Sequence, residues 1–391
     1  MGTASRREDE QMTKLIDITG KALSGEWGTD DEMGNGIPVL RTTNFTNEGV
    51  IDYSNVVTRT ITKKRIENKY LRKGDIIIEK SGGSDKQPVG RVIFFDGPEN
   101  TYLFNNFTGL LRVKNQTVWY PRYVFYSLFS NYRRGGTRPF ENKTTGLHNL
   151  KTDDYVSRYE LIDNDMTNQI AISDQLDLVY GIIKMRQKEL KKLDELIKAR
   201  FVELFGDPIK NPKGWDVVKI GDLVTDVRYG TSKAAVEGGQ YPYLRMNNIT
   251  SDGHLDLKDM KYIDIPDDEI EKCIVRKGDV LFNRTNSVEL VGKTAVFDLP
   301  QNMVVAGYII RVRLNNLILP EVLSQYMNLE ALKEILRGMA KGAVNQANIN
   351  AQELQSIKVY VPDMERQKQF VQMKEQINKS RFQKQRDKRI S

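Results

Sequence analysis

The feature that most limits how this chain can fold is that it repeats itself. Pro38-Val39-Leu40-Arg41-Thr42-Thr43-Asn44-Phe45 matches Pro242-Tyr243-Leu244-Arg245-Met246-Asn247-Asn248-Ile249 at an offset of 204 residues. Leu71-Arg72-Lys73-Gly74-Asp75-Ile76-Ile77-Ile78 matches Val275-Arg276-Lys277-Gly278-Asp279-Val280-Leu281-Phe282 at the same offset. Later matches keep their order while the offset drifts to 199. They pair Val89-Gly90-Arg91 with Val291-Gly292-Lys293, Leu111-Arg112-Val113 with Ile310-Arg311-Val312, and Asn149-Leu150 with Asn348-Ile349. Chance would scatter the offsets; ordered matches mean two divergent copies of one domain. The 391 residues leave about 150 for each copy, enough to bury a core.

Each copy reads mostly as strands. Ile76-Ile77-Ile78 and Val280-Leu281-Phe282 are short apolar runs after a Lys-Gly turn. A helical stretch is expected late in each copy, around Tyr123 to Asn131 and Pro320 to Arg337. A different segment follows each. From Met166 to Phe205 there is no Pro and a single Gly, Gly181. Leu176, Ile183, Leu190, Ile197 and Leu204 recur every seven residues, with Val179 and Leu193 between them, a heptad seam. Gly206-Asp207-Pro208 stops the helix. After the second copy, Asp363 is an N-cap candidate, and Met364 to Arg389 carries Phe370, Met373 and Ile377 as its stripe.

The expected fold class is therefore α+β, with two strand-rich domains in tandem, each followed by a long helix. The boundaries are a polar extension over 1–11, a first domain over 12–164, a long helix over 165–205, a second domain over 206–362 and a second helix over 363–391. If the helices pair antiparallel, they form a spacer rod with the domains related by a pseudo-two-fold; the alternative is that each helix packs on its own domain.

Composition excludes several classes. Apolar residues make up 39% and charged residues 28%, a globular balance. The net charge of +7 suits an anionic partner without identifying one. No apolar run approaches the ~18–20 residues of a membrane span, and Met1 to Gln11 holds no apolar signal core, so a cytoplasmic location is expected. The one cysteine, Cys273, leaves no disulfide framework or Cys-rich zinc site. His148 and His254 leave little for histidine catalysis or metal binding. Gly292-Lys293-Thr294 ends like a phosphate loop, but Ser287 stands where its first Gly is needed. Asn211-Pro212-Lys213-Gly214 is no methyltransferase motif, and Glu79 of a nuclease-like Asp75/Glu79 pair becomes Asn283 in the second copy. Asp75 and Asp279 read as turn residues. Neither a catalytic residue nor a metal site is expected.

What recurs instead is polar, basic chemistry at equivalent places. Arg41, Thr43 and Asn44 correspond to Arg245, Asn247 and Asn248. Lys80, Ser81 and Lys86 lie in a cluster matched by Arg284, Thr285 and Asn286. Asn149 closes a third cluster, matched by Gln346 and Asn348. Arg134 lies in the basic loop Tyr132-Arg133-Arg134-Gly135-Gly136-Thr137-Arg138. Arg, Asn and Gln bind base edges bidentately, and Ser, Thr, Lys and backbone amides suit phosphates. A kept apolar frame with differing tips is what two readers of two sequences need. The tail from Lys379 to Arg389 carries six cations against Asp387, either for DNA or an acidic partner, or as a solvated helix end.

Lys192-Leu193-Asp194-Glu195-Leu196-Ile197-Lys198-Ala199-Arg200-Phe201-Val202-Glu203-Leu204-Phe205-Gly206-Asp207-Pro208, followed by Asn211-Pro212-Lys213-Gly214-Trp215, resembles the central region of type I restriction-modification specificity subunits. Pro242-Tyr243-Leu244-Arg245, Lys277-Gly278-Asp279-Val280-Leu281 and Asn345-Gln346-Ala347-Asn348-Ile349 with Val361-Pro362 resemble that family's target-recognition-domain pattern. The resemblance implies two target recognition domains, each reading half of a bipartite, asymmetric double-stranded DNA target, held apart by paired helices. It implies a non-catalytic subunit that recruits two methyltransferase subunits and restriction/translocase subunits. S-adenosylmethionine, ATP and Mg²⁺ would be used by those partners and not by this chain. The DNA-contact role falls on Arg245, Asn247, Asn248, Arg284, Thr285 and Gln346, and in the first copy on Arg41, Thr43, Asn44, Lys80, Ser81 and Asn149. The first copy lacks the Trp-led opening seen at Trp215 and has Gly146-Leu147-His148 in place of Asn345-Gln346-Ala347. Two other readings remain: a stand-alone DNA-binding scaffold, and the recognition fragment of a fused methyltransferase-nuclease.

Overall fold

The computed structural model describes residues 11–144, 147–343 and 346–386, with backbone alone for 143, 144, 341–343, 346 and 382–386. Residues 1–183 and 184–391 form two compact units, so the division falls inside the helix Met166–Phe205. The fold is mixed α+β. Among the described residues, no helix is long and apolar enough to cross a membrane.

In the first unit, the strand Ile76–Glu79 lies between Thr108–Leu111 and Val92–Phe94, with Leu23–Ser24 at the far edge. A second four-stranded sheet joins Thr29–Asp30, Val57–Thr60, Ile37–Leu40 and Leu103–Phe104, the last pair parallel. The continuous apolar run has a physical cause. Successive side chains point to opposite faces of a strand, and both faces here are covered. Ile76 and Ile78 enter one core cluster with Val124 and Leu128, whereas Ile77 enters another with Leu40 and Phe104.

The second unit repeats this plan. Val280–Asn283 lies between Ile309–Leu314 and Thr294–Val296, with Val224–Tyr229 at the edge. Val280 and Phe282 join one cluster and Leu281 another. Gly74 and Gly278 both take positive φ, +90° and +95°, at the turn entering this strand, a conformation that side chains with a Cβ resist.

Register corrects one expected match. Ile76 pairs with Leu111, and its counterpart Val280 pairs with Val312. Arg112 therefore corresponds to Arg313, not to Arg311. Both make the same ion pair: Arg112 to Asp75 at 2.6 Å and Arg313 to Asp279 at 3.0 Å. Arg311 is instead 1% exposed, donates to the Ile274 carbonyl at 2.5 Å and pairs with Asp226.

The helix expected over Pro320 to Arg337 is two helices, Pro320–Met327 and Glu330–Met339. Buried Asn328 interrupts it: its amide donates to the Thr294 carbonyl at 2.6 Å and accepts from the Thr294 N–H at 3.3 Å. Leu329 is extended and precedes the second helix, so it does not lie within a single helical stripe.

The heptad seam is met only in part. Ile197 is buried, but the residues beside it that pack most deeply are Phe201 and Phe205, which the seven-residue spacing omitted. Both rings contact Phe370 of the helix Met364–Arg386, at 5.3 and 5.6 Å. Leu204 and Ile377 pack at the margin of this cluster, and Leu193 is half-buried. Leu176, Ile183 and Leu190 are 36%, 43% and 37% exposed, so the stripe is open there. Within the second unit, Arg381 donates to the Leu190 carbonyl at 3.3 Å and pairs with Asp194.

Candidate nucleic-acid interface

Each unit presents the same turn. The strand Ile37–Leu40 runs into the 3₁₀ turn Thr42–Asn44, and Tyr241–Leu244 runs into Met246–Asn248. Asn44 Oδ1 accepts from the Arg41 N–H at 2.9 Å while its Nδ2 donates to the Asp52 carbonyl at 2.9 Å. Asn248 repeats this with the Arg245 N–H at 2.9 Å and the Asp256 carbonyl at 2.8 Å. These amides are 1% and 2% exposed. They close the turn and have no free edge for a base, which corrects the expected DNA-contact role of Asn44 and Asn248. Arg41 and Arg245 are half-buried, donating from Nη2 to the Asn55 carbonyl at 3.1 Å and the Asp259 carbonyl at 2.7 Å. Thr43 and Asn247, between them, are exposed.

A cation sits beneath each turn. Arg91 donates to the Phe45 and Thr42 carbonyls at 3.0 and 3.2 Å. Lys293 Nζ donates to the Met246 and Ile249 carbonyls at 2.9 and 2.5 Å. Burial lowers the Lys293 pKa. Glu79 balances Arg91 at 2.7 Å, whereas the position corresponding to Glu79 in the second unit holds the neutral Asn283.

The second cluster is also built twice. Ser81 stands opposite Asn149, and Thr285 opposite Asn348. Thr285 Oγ1 donates to Asn348 Oδ1 at 3.3 Å, and Asn286 donates to Asn283 Oδ1 at 3.0 Å. Thr285 is 6% exposed. Its hydroxyl serves the small sheet, a structural assignment that replaces the expected contact role of Thr285, while Asn286 is half-buried. Ser81, Asn149 and Asn348 are half-buried at its surface. The Gln346 side chain lies outside the described residues.

The cations of this cluster stand over the edge strand. Lys80 Nζ donates to Ser24 Oγ at 2.7 Å, and burial lowers its pKa despite opposing attraction from Asp153. Arg284 lies 4.9 Å from the centroid of the Tyr229 ring, a cation–π contact. Ser24 pairs with Gly109 and Tyr229 with Ile310, one register position in two units.

The units differ elsewhere. His148 is buried and meets Glu141 at 2.9 Å, and Glu141 also accepts from the Val89 N–H at 3.0 Å. Ala347 and Ala340 occupy the corresponding register positions. The first unit also has a groove lined by Asn47, Lys86, Tyr132, Arg133, Arg134 and Arg138. Lys86 and Arg134 are exposed there. Among the described residues none of its four cations makes an ion pair; Arg133 and Arg138 donate only to backbone carbonyls. Such a groove fits phosphate.

The carboxylates weighed for catalysis are locked: Asp75 to Arg112 and Glu79 to Arg91. Asp194, Asp252 and His254 bring possible ligand atoms within 4.8 Å of one another. The Arg381 guanidinium already engages two of the three, pairing with Asp194 and donating to His254 Nε2 at 3.0 Å, and Asp252 accepts from the Thr250 hydroxyl.

Sequence reasoning missed two anchors. Gln169 and Gln367 are fully buried at the starts of the two long helices. Gln169 Oε1 accepts from the Tyr120 N–H and its Nε2 donates to the Val118 and Asn164 carbonyls. Gln367 does the same with Leu319, Leu317 and Pro362. The signal was present as Asp165-Met166-Thr167-Asn168-Gln169 against Asp363-Met364-Glu365-Arg366-Gln367.

Residues 212–391 match the family model of the type I restriction modification DNA specificity domain. The chain is 32% identical over 166 residues to the MjaX specificity subunit of Methanocaldococcus jannaschii, covering 41% of this chain and 39% of that relative's length. It is 23% identical over 368 residues to the EcoKI specificity subunit of Escherichia coli K12, covering 87% of this chain and 75% of that one. The fold is similar to a type I restriction-modification S subunit from M. genitalium, with TM-score 0.53 and 15% identity, over 98% of this chain and 93% of that one. A chain from a type I R-M complex-assembly structure is similar at TM-score 0.50 and 17% identity, over 96% of this chain and 92% of that one.

Proposed function

We propose that this chain, which belongs to the type I restriction-modification specificity subunits, reads a bipartite, asymmetric DNA target, one half-site per unit. The observation that carries this reading is a turn and cation frame built twice, with different exposed residues on it. Asn44/Asn248 and Arg91/Lys293 hold the two turns alike, while Thr43/Asn247 and Lys80/Arg284 differ at the surface. Phosphate contacts fix position and base contacts specify sequence; the groove around Lys86 and Arg134 suits the first role.

The recognition domains span 12–164 and 206–362, and the helices over 165–205 and 363–391, of which 387–391 lie outside the described residues, form an antiparallel coiled-coil spacer that sets the gap between half-sites. Contacts of Phe370 with Phe201 and Phe205, and of Arg381 with Leu190 and Asp194, support this pairing. The subunit is non-catalytic and acts in the cytoplasm. It scaffolds two methyltransferase subunits and the restriction/translocase subunits, which bring S-adenosylmethionine, ATP and Mg²⁺.

Single-molecule sequencing of adenine methylation, with and without this gene beside an active methyltransferase partner, tests the proposal. Loss of one gapped two-part motif is expected on deletion. An unchanged methylome would leave a stand-alone scaffold as the better reading.

A further inference from the structure

Both units expose an aromatic ring at one and the same turn. In the first, the Thr108 N–H donates to the Asn105 carbonyl at 3.1 Å, which places Phe107 at the third position of the turn. In the second, the Ile309 N–H donates to the Ala306 carbonyl at 2.9 Å and Tyr308 takes that position. The Asn105 and Ala306 N–H groups donate to the Leu40 and Leu244 carbonyls, each at 2.9 Å, so the turns occupy equivalent places. Phe107 is 54% exposed and Tyr308 51%. Single exposed apolar residues are ordinary on a surface. Retention of an exposed ring at one turn in two divergent copies is not, since its neighbours change from Asn106 to Gly307 and from Thr108 to Ile309.

The turn also touches the candidate interface directly. The Phe107 carbonyl accepts from the Lys80 N–H at 2.8 Å, and the Tyr308 carbonyl from the Arg284 N–H at 2.9 Å. Each ring is thus tied through the backbone to the cation over the edge strand, next to Ser81 or Thr285. A flat apolar face beside a cation matches a nucleobase beside its phosphate. Proteins use such rings against thymine methyl groups, between base steps and on base faces.

We infer that Phe107 and Tyr308 are base-contacting residues, one for each half-site, whose rings lie against nucleobases while Lys80 and Arg284 hold the adjoining strand. This inference rests on the DNA-reading function proposed above. The test expresses the full chain with its methyltransferase partner as wild type, Phe107→Ala, Tyr308→Ala, Phe107→Tyr and Tyr308→Phe. Methylomes and melting temperatures are then measured. Phe107→Ala is expected to lower methylation of the wild-type motif about tenfold or more and to relax discrimination at one half-site alone. Tyr308→Ala acts on the other half-site, the aromatic replacements restore both, and no melting temperature moves. Wild-type methylation by both alanine variants would overturn the inference. So would a loss shared by both half-sites or coupled to a lower melting temperature, which would assign the rings to the fold. Absence of any gapped motif with the wild-type chain would instead defeat the DNA-reading function itself.

Discussion

Thr43 and Asn44 are neighbours in sequence and opposites in use. Asn44 is sealed beneath the turn with donor and acceptor both engaged; Thr43 faces solvent. The same contrast separates Asn248 from Asn247. Asn44→Ala or Asn248→Ala orphans buried backbone groups, and a loss of about 1–3 kcal/mol is expected in denaturant unfolding. Thr43→Ala and Asn247→Ala should leave stability within about 0.5 kcal/mol and alter the methylated motif instead. Sequence could not separate the pairs, because the identical Asn and the differing residue beside it carry similar polar chemistry. Burial alone distinguishes them. Lys333 gives a second residue-scale outcome. Burial pushes its ammonium from 10.5 down to about 8, with Nζ donating to the Gly292 carbonyl at 2.6 Å. Between those values the unfolded chain keeps a proton that the folded chain has released, so this group's contribution to stability rises with pH across that window. Wild type is expected to gain on Lys333→Met in thermal melts as pH rises from 7 to 10; a constant difference would contradict the assignment.

At the scale of elements, the helix Met166–Phe205 was legible from its freedom from Pro and its heptads, but its packing was not. The seven-residue spacing selects Leu176, Ile183, Leu190, Ile197 and Leu204, whereas the aromatic cluster uses Phe201 and Phe205 against Phe370. A seam read from one helix does not reveal which stretch a partner covers. Phe201→Ala should cost about 3–5 kcal/mol, and Leu176→Ala, at an open position, under about 1 kcal/mol. Gln367→Ala, which strands the Leu319 N–H and two carbonyls, is expected to cost about 1–3 kcal/mol; unfolding curves in urea check all three. The strand Ile76–Glu79 and its counterpart were readable because both faces are buried. The broken helix at Asn328 was not, since its cause is a tertiary clasp on Thr294. The misplaced match of Arg112 to Arg311 has a similar origin. A short Arg-centred match fits equally well two residues away, and only the shared ion pairs to Asp75 and Asp279 settle the register.

For the whole molecule, duplication ties the fold to the function. Two units share sheets, turns, the cation beneath each turn and helix anchors, yet one carries a groove whose four cations make no ion pair among the described residues, and a buried His148–Glu141 pair where the other has alanines. One frame with two different surfaces is how one chain could read two different half-sites. The exchange of one unit is the direct test. Residues 12–164 are replaced by the equivalent segment of a relative with a different target, and the adenine methylome is sequenced with the same methyltransferase partner. The account predicts a new motif in which one half-site has changed while the other half-site and the gap are retained. An unaltered motif, or changes in both half-sites at once, would contradict it.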